Sequence, residues 1–421
     1  MRPPRSTFWL LSFAMGASTV GQSMLATAVP LFAVALGLAP VWVGALVALP
    51  NALPVVLAMP AGRWVDRGGA GRWLALGTAG MASAPLLLVL APAAASLALA
   101  QLLLGVFQLF AALASQSFVA DLGGGRALER NYATYATLLS AGRLVGPLVA
   151  GVVIDASGFR AAFGVAAVAA SLTFGMAWAI RGVVGAPGAR PGALAGAGTS
   201  TAAAAPDPAA TAAAAASSRT ALPLRLSPRE ALGNVGVQLA VLSSAGVFVA
   251  VSVRQAFLPV ALQDLGYPAT TIGGLISLGA LAAVLVRPLM PVVSRRLGGP
   301  ARTLVAAMAA VAVGVGLLGA VESLTAFAVL GAVVGFGTGV GLPLSIVTVA
   351  SHVDPRQRGA ALGLRLSLNR AAQLVMPVVV GAVIGVAGFG VGFGVAGALL
   401  AVLAIAAALR VRRFERTPPL G

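Results

Sequence analysis

The chain has 421 residues, 59% of them hydrophobic and only 9% charged, a composition that excludes a soluble globular domain and specifies a protein crossing a membrane several times. Its formal charge of +17 comes from 27 basic residues, every one an arginine; they are scattered through apolar segments without interleaved aromatics, which excludes a nucleic-acid-binding footprint. There is no cysteine, and therefore no disulfide framework, thiolate metal ligand or cysteine nucleophile.

In chain order, Arg2 and Arg5 precede an apolar run with Ala26-Thr27-Ala28 downstream, which imitates a secretory signal. The run carries Ser18, Thr19, Gln22 and Ser23, and the region from Pro30 has a counterpart later in the chain, so it is a retained first transmembrane helix. No charged residue lies between Arg5 and Arg63. A crossing takes about 20 apolar residues, so this stretch holds two, separated at Gly37-Leu38-Ala39-Pro40. A charged turn follows, Met59 to Arg72, with Arg63, Asp66, Arg67 and Arg72 between two apolar runs. Apolar periods then predict helices over 7–32, 41–61, 73–92, 95–119, 132–155 and 161–181, and again over 235–263, 270–293, 302–320, 323–350, 360–385 and 389–410. Their lengths are those of helices and not of barrel strands. The fold class is all-α integral membrane, with 12 transmembrane helices as two pseudo-symmetric six-helix bundles.

Between the sixes lies an alanine-rich, proline-broken stretch without a periodic face of large apolar residues, which nothing would anchor. The expected domains are an N-terminal half 1–181, a cytoplasmic linker 182–231 and a C-terminal half 232–421. The halves repeat. A slide of 229 pairs Pro30 with Pro259, Gly37 with Gly266, Gly44 with Gly273, Arg67 with Arg296 and Gly69 with Gly298. A slide of 230 matches Pro147, Val149, Gly151, Val153, Ile154, Gly158, Phe159, Phe163, Gly164, Val165 and Ala166 with identical residues from Pro377 to Ala396. With a cytoplasmic N-terminus, Arg160 is the one loop arginine on the far side, which sets both termini in the cytoplasm of a cell inner (plasma) membrane.

The turn carries a specific resemblance. Gly62-x-x-x-Asp66-Arg67-x-Gly69, with Arg72 following, resembles the loop between helices 2 and 3 of the major facilitator superfamily, although Gly71 stands where that family usually has the first of two basic residues. The resemblance implies that Gly62, Asp66, Arg67, Gly69 and Arg72 are gating residues, and that substrate lies at the midplane between two halves of like orientation. Gly142-x-x-x-Gly146-Pro147-x-x-x-Gly151 with Asp155 and Gly158 resembles the helix-5 motif of exporters in that superfamily. Gln101 stands four residues before Gly105, where proton-coupled exporters usually have arginine. By the same resemblance the first, fourth, seventh and tenth helices line the cavity.

Ionisable residues at membrane depth are costly and mark function. Arg143 precedes Asp155 by 12 residues, roughly 18 Å at helical rise, and Arg254 precedes Asp264 by 10, roughly 15 Å; both approach the midplane. Arg370 is similarly deep, whereas Arg287 and Arg365 are near enough to a cytoplasmic end to snorkel. Gln101, Gly105, Gln108, Ala112 and Ser115 share one helical face. The expected substrate contacts are Gln22, Gln101, Gln108, Arg143, Arg254, Gln255, Ser345, Arg370 and Gln373. His352 reads as a helix-end residue. The glycines between Gly331 and Gly341 lie in an apolar helix and do not form a phosphate loop.

The expected function is secondary active transport of a small organic solute by alternating access, leaning to efflux and to an anionic or strongly polar substrate. A multidrug-type exporter of lipophilic compounds and a non-transporting membrane sensor of the same fold are the alternatives. Neither an enzyme nor an ATP-driven pump is expected, and no cofactor or metal. The expected partners are the substrate and the lipid bilayer, with the proton a candidate coupling ion, no nucleic acid, and the chain a monomer.

Overall fold

The structure is a computed structural model that describes residues 5–121, 126–184, 233–353 and 358–415. From residue 185 onward the expected linker lies outside the described residues, as does Asp354. Hydrocarbon offers backbone amides no water, so each must be paired within its own segment, and the described residues are helical accordingly. In order they form α1 (Arg5–Ala35), α2 (Pro40–Gly68), α3 (Ala70–Leu90), α4 (Ala94–Asp121), α5 (Arg126–Val184), α6 (Val235–Asp264), α7 (Ala269–Leu285), a 3-10 turn (Arg287–Leu289), α8 (Met290–Arg296), α9 (Pro300–Gly316), a second 3-10 turn (Leu318–Ala320), α10 (Leu324–His352) and α11 (Arg358–Glu415).

Ten spans among the described residues are long and apolar enough to cross a membrane, and two of these have 53 and 55 residues, more than twice what one crossing takes. Each is broken by a glycine with φ that L side chains rarely adopt, Gly158 (φ 78°) in α5 and Gly388 (φ 81°) in α11. At Gly158 the chain reverses. Before it, α5 runs parallel to α1, with Gly142 over the Gly16 carbonyl and Gly146 against Ser23. After it the register inverts: Phe32 meets Phe159 and Phe163 at 5.3 and 5.4 Å, Gly21 meets Ala166, and Thr173 Oγ1 donates to the Ala14 carbonyl at 3.1 Å. In α11 the same reversal occurs. Asn369 and Gly381 follow Ser244 and Phe257 along α6, whereas Leu400 returns to Gly246 and Arg410 to Gln238. The two limbs of α5 and of α11 therefore supply the crossings that bring ten spans to twelve.

The backbone keeps the repeat. Gly37, Gly69 and Gly158 have φ of 76°, 81° and 78°, and their partners Gly266, Gly298 and Gly388 have 82°, 81° and 81°. Two boundaries differ from expectation. The helix expected over 41–61 continues to Gly68, so Arg63, Asp66 and Arg67 are helical and the turn contracts to Gly69. The helix expected over 270–293 is interrupted at Arg287–Leu289, where Pro288 and Pro291 lack the amide hydrogens that would continue it.

Two compact units form. One takes Met1–Gly37, Leu49–Thr220 and Pro268–Gly273, and the other takes Leu38–Ala48, Ala221–Tyr267 and Gly274–Gly421. Each is knit by glycine. In the first, a Cβ on Gly151 would collide with the Ala269 carbonyl, and one on Gly273 with that of Pro147; in the second, Gly44 and Gly381 lie in the same way against the carbonyls of Pro377 and Pro40. The Asp155 carboxylate adds to the first contact, accepting from the amides of Ala269 (2.9 Å) and Thr270 (2.7 Å) at the start of α7. In the second unit Leu239, Met308 and Phe414 anchor a buried cluster with Ala301, Ala404 and Ala407.

These contacts separate two costs of adding a methyl group. Gly158→Ala meets no atom within 4 Å, so it should cost only the left-handed backbone penalty of about 1–2 kcal/mol. Gly273→Ala must displace a backbone carbonyl and should cost more, about 3 kcal/mol. Thermal unfolding of purified protein in detergent checks the order; an equal or inverted pair of Tm losses would contradict it.

Candidate functional site

In the first unit the polar stripe on α4 is partnered. Gln108 Nε2 donates to Gln22 Oε1, and Gln22 Nε2 donates in turn to Ser18 Oγ at 3.0 Å. Gln101 is buried on the same face, and between the two glutamines Gly105 admits the Pro50 carbonyl of α2. At the far end of the stripe Ser115 Oγ and Tyr135 Oη are 2.9 Å apart, and Tyr132 Oη donates to the Gln116 carbonyl at 2.8 Å. Both tyrosines are fully buried. Arg143 is half-buried two turns after Tyr135 on the first limb of α5. Sequence reasoning passed over the tyrosines; their spacing of three and their position two and five residues after Arg130, in a charged helix end, were the available signals.

In the second unit Arg254 lies on α6 with its guanidinium over the bare backbone of Gly279 in α7. A Cβ there would stand 2.6 Å from Nη1 and 3.2 Å from the Gly331 carbonyl of α10. The Nη1 atom is buried and has no hydrogen-bond partner. Gln255 beside it is half-buried. Nearer the start of α6, Ser244 Oγ donates to Asn369 Oδ1 at 2.9 Å, and Gln373 Nε2 donates to the Asn369 carbonyl at 3.3 Å. Arg370 is buried, 5% exposed, on the same limb of α11.

Arg365 departs from expectation. It does not snorkel: it is 4% exposed, and its Nη2 donates to Ser345 Oγ at 2.8 Å. The reason is helical phase. Ala361, Arg365, Asn369 and Gln373 recur every four residues and all are buried, so the arginine sits on the inward stripe of its helix, where snorkelling has no route to a membrane surface. That period was visible in the sequence. The Ser345 hydroxyl, while accepting from Arg365, donates to the Leu342 carbonyl at 2.7 Å.

Of the five residues expected to gate, Gly69 caps α3 with φ 81°, Gly62 is half-buried, and Arg67 and Arg72 are exposed. The side chain of Asp66 lies outside the described ones, as does that of His352. Beside this turn Trp64, Trp73 and Phe110 stack, with Trp73 and Phe110 centroids 4.5 Å apart at 18°. Gly68 leaves the room for the Trp73 indole. Among the described residues no three acidic, histidine or cysteine side chains gather as metal ligands.

A family model described as Major Facilitator Superfamily matches residues 11–301 and 240–421. The chain belongs to that superfamily. Solved structures of this superfamily fold agree along the whole length. A POT family transporter in complex with 5-aminolevulinic acid aligns with TM-score 0.77 at 12% identity, over 98% of this chain and 97% of its own. A bacterial homologue of the human lysosomal transporter Spinster, inward-facing and unoccupied, aligns with TM-score 0.70 at 14% identity, over 98% and 97%. The human organic anion transporter MFSD10 (TETRAN) aligns with TM-score 0.62 at 17% identity, over 96% and 100%. No curated protein matches in sequence.

The cradle at Gly279 makes a clean prediction for this superfamily member. Since the nearest atom in the way of a new methyl group is the end of a flexible side chain, and the Gly331 carbonyl at 3.2 Å needs to yield only slightly, Gly279→Ala should lower the unfolding temperature only a little while displacing the Arg254 guanidinium. A large loss of thermal stability with unaltered ligand response would show the opposite.

Proposed function

We propose that this protein is a secondary active transporter that moves a small anionic or strongly polar organic solute by alternating access, in the direction of efflux. The observation that carries the substrate class is Arg254. Arg254 is half-buried on an apolar helix, and its buried Nη1 has nothing to donate to. An orphaned charged donor at such depth costs free energy, and a carboxylate or phosphate would relieve that cost with charge-assisted hydrogen bonds. One solved relative of the fold is described as an organic anion transporter, which agrees in class. The helix-5 resemblance, Gly142 to Gly158, supports efflux. The arginine distribution supports a cell inner membrane with both termini cytoplasmic, and the proton is the candidate coupling ion.

The neutral amide pair Gln22 and Gln108 favours a second reading, a multidrug-type cavity for lipophilic cargo. Flux through proteoliposomes decides between the two. Arg254→Gln should weaken an anionic substrate by about 1.5–3 kcal/mol, roughly 10- to 150-fold in Kd; transport of cationic lipophiles alone, or anion affinity untouched by the substitution, would defeat the anion reading. Absence of any flux would favour a sensor.

We further assign Asp66, with Gly62, Arg67, Gly69 and Arg72, to gating. The assignment places Asp66 at a helix end remote from Arg254 in sequence, so Asp66→Asn should lower the transport rate while changing apparent affinity only a few fold, through the balance of conformations. A wild-type rate at matched expression would remove the assignment.

A further inference from the structure

We infer that the second unit holds a separate anion-binding station, formed by Arg365 and Asn369 of α11 and oriented by Ser345 of α10 and Ser244 of α6. It takes a small carboxylate or phosphate. The two principal residues lie one helical turn apart on the inward stripe and are 4% and 1% exposed. Each is held by one hydroxyl and left with one buried donor: Arg365 Nη2 is on Ser345 while its Nε has no partner, and Asn369 Oδ1 is on Ser244 while its Nδ2 has none. The orphans are both donors, and one belongs to a cation.

A site missing an acceptor on two adjacent turns asks for an oxyanion, since one group can accept from both at once. The serines serve orientation. Ser345 hands its own proton to the Leu342 carbonyl, which leaves its lone pairs to fix the guanidinium. The station is distinct from Arg254. Ser244 and Arg254 are ten residues apart on α6, roughly 15 Å along the helix axis. Binding here depends on no property of Arg254; its part in transport rests on the anion-carrier reading above.

Isothermal titration of the full chain in detergent with succinate and with inorganic phosphate, against uncharged succinamide as control, tests the inference by stoichiometry. Wild type should bind two anions per chain and no succinamide, Arg254→Gln one, and Arg365→Gln one. Should Arg365→Gln fold poorly, Asn369→Asp supplies the missing acceptor from within the protein. It should raise the unfolding temperature by several degrees and bind one anion. A single wild-type anion abolished by Arg254→Gln and kept by Arg365→Gln would overturn the station and leave the proposed function standing. A single anion abolished only by Arg365→Gln would support the station and remove Arg254 from the substrate site. No binding by wild type would overturn both. A lowered unfolding temperature in Asn369→Asp would also count against the station.

Discussion

A peptide group in hydrocarbon has no solvent to bond with, and each unmet N–H or C=O costs several kcal/mol. That constraint makes every described crossing a helix and leaves little for propensity to decide. It also removes the ordinary drive for helices to associate, because lipid tails are as apolar as leucine. What remains is close approach of backbones. The contacts of Gly44 with Pro377 and of Gly273 with Pro147 show it twice over in repeat-related places. A residue with any side chain would hold those helices apart, and the dispersion contacts of their flanks would be lost.

Against this dry background the arginines stand out energetically. A guanidinium has five donors, and a bundle of Ala, Val, Leu and Gly supplies few acceptors beyond carbonyls already used in the helix. Partial solutions follow: Ser345 for Arg365, backbone glycine beneath Arg254. Both leave a buried donor over. In a rigid soluble core such residues would be a defect; under the proposed anion-carrier reading, an incompletely met donor is a reason for the cargo to enter.

Much of the architecture could be read from residues alone because a duplication writes each constraint twice. Gly37, Gly69 and Gly158 each recur after the slide, and each pair shares the same left-handed backbone; a position that tolerates only glycine in two copies announces itself. The boundary error at the end of α2 has a physical cause. Charges from Arg63 to Arg67 read as a loop, yet a helix can project beyond the apolar slab with its charged turn intact, and hydropathy sees the slab and not the helix. A candidate residue was legible where it was anomalous in depth, as with Arg254. It was misread where depth and helical phase pulled apart. Arg365 looked close enough to a helix end to escape, and only the buried stripe it shares with Asn369 and Gln373 showed that it faced inward. Tyr135 was passed over because a tyrosine in a membrane helix is unremarkable until a hydroxyl such as that of Ser115 is found opposite it.

The aromatic stack at the charged turn has a use of its own. Trp64 ends one side of the turn and Trp73 begins the other, their rings 6.3 Å apart and 16° from parallel, with Phe110 from α4 completing the pile. Only five tryptophans occur in the chain, and two of them are thus joined across the segment that resembles the superfamily's loop motif. Their spacing is within the range where indole transition dipoles couple, so any shift of α2 against α3 alters near-ultraviolet ellipticity and emission. The protein carries a built-in optical gauge at its turn, readable without a label and without knowledge of the cargo.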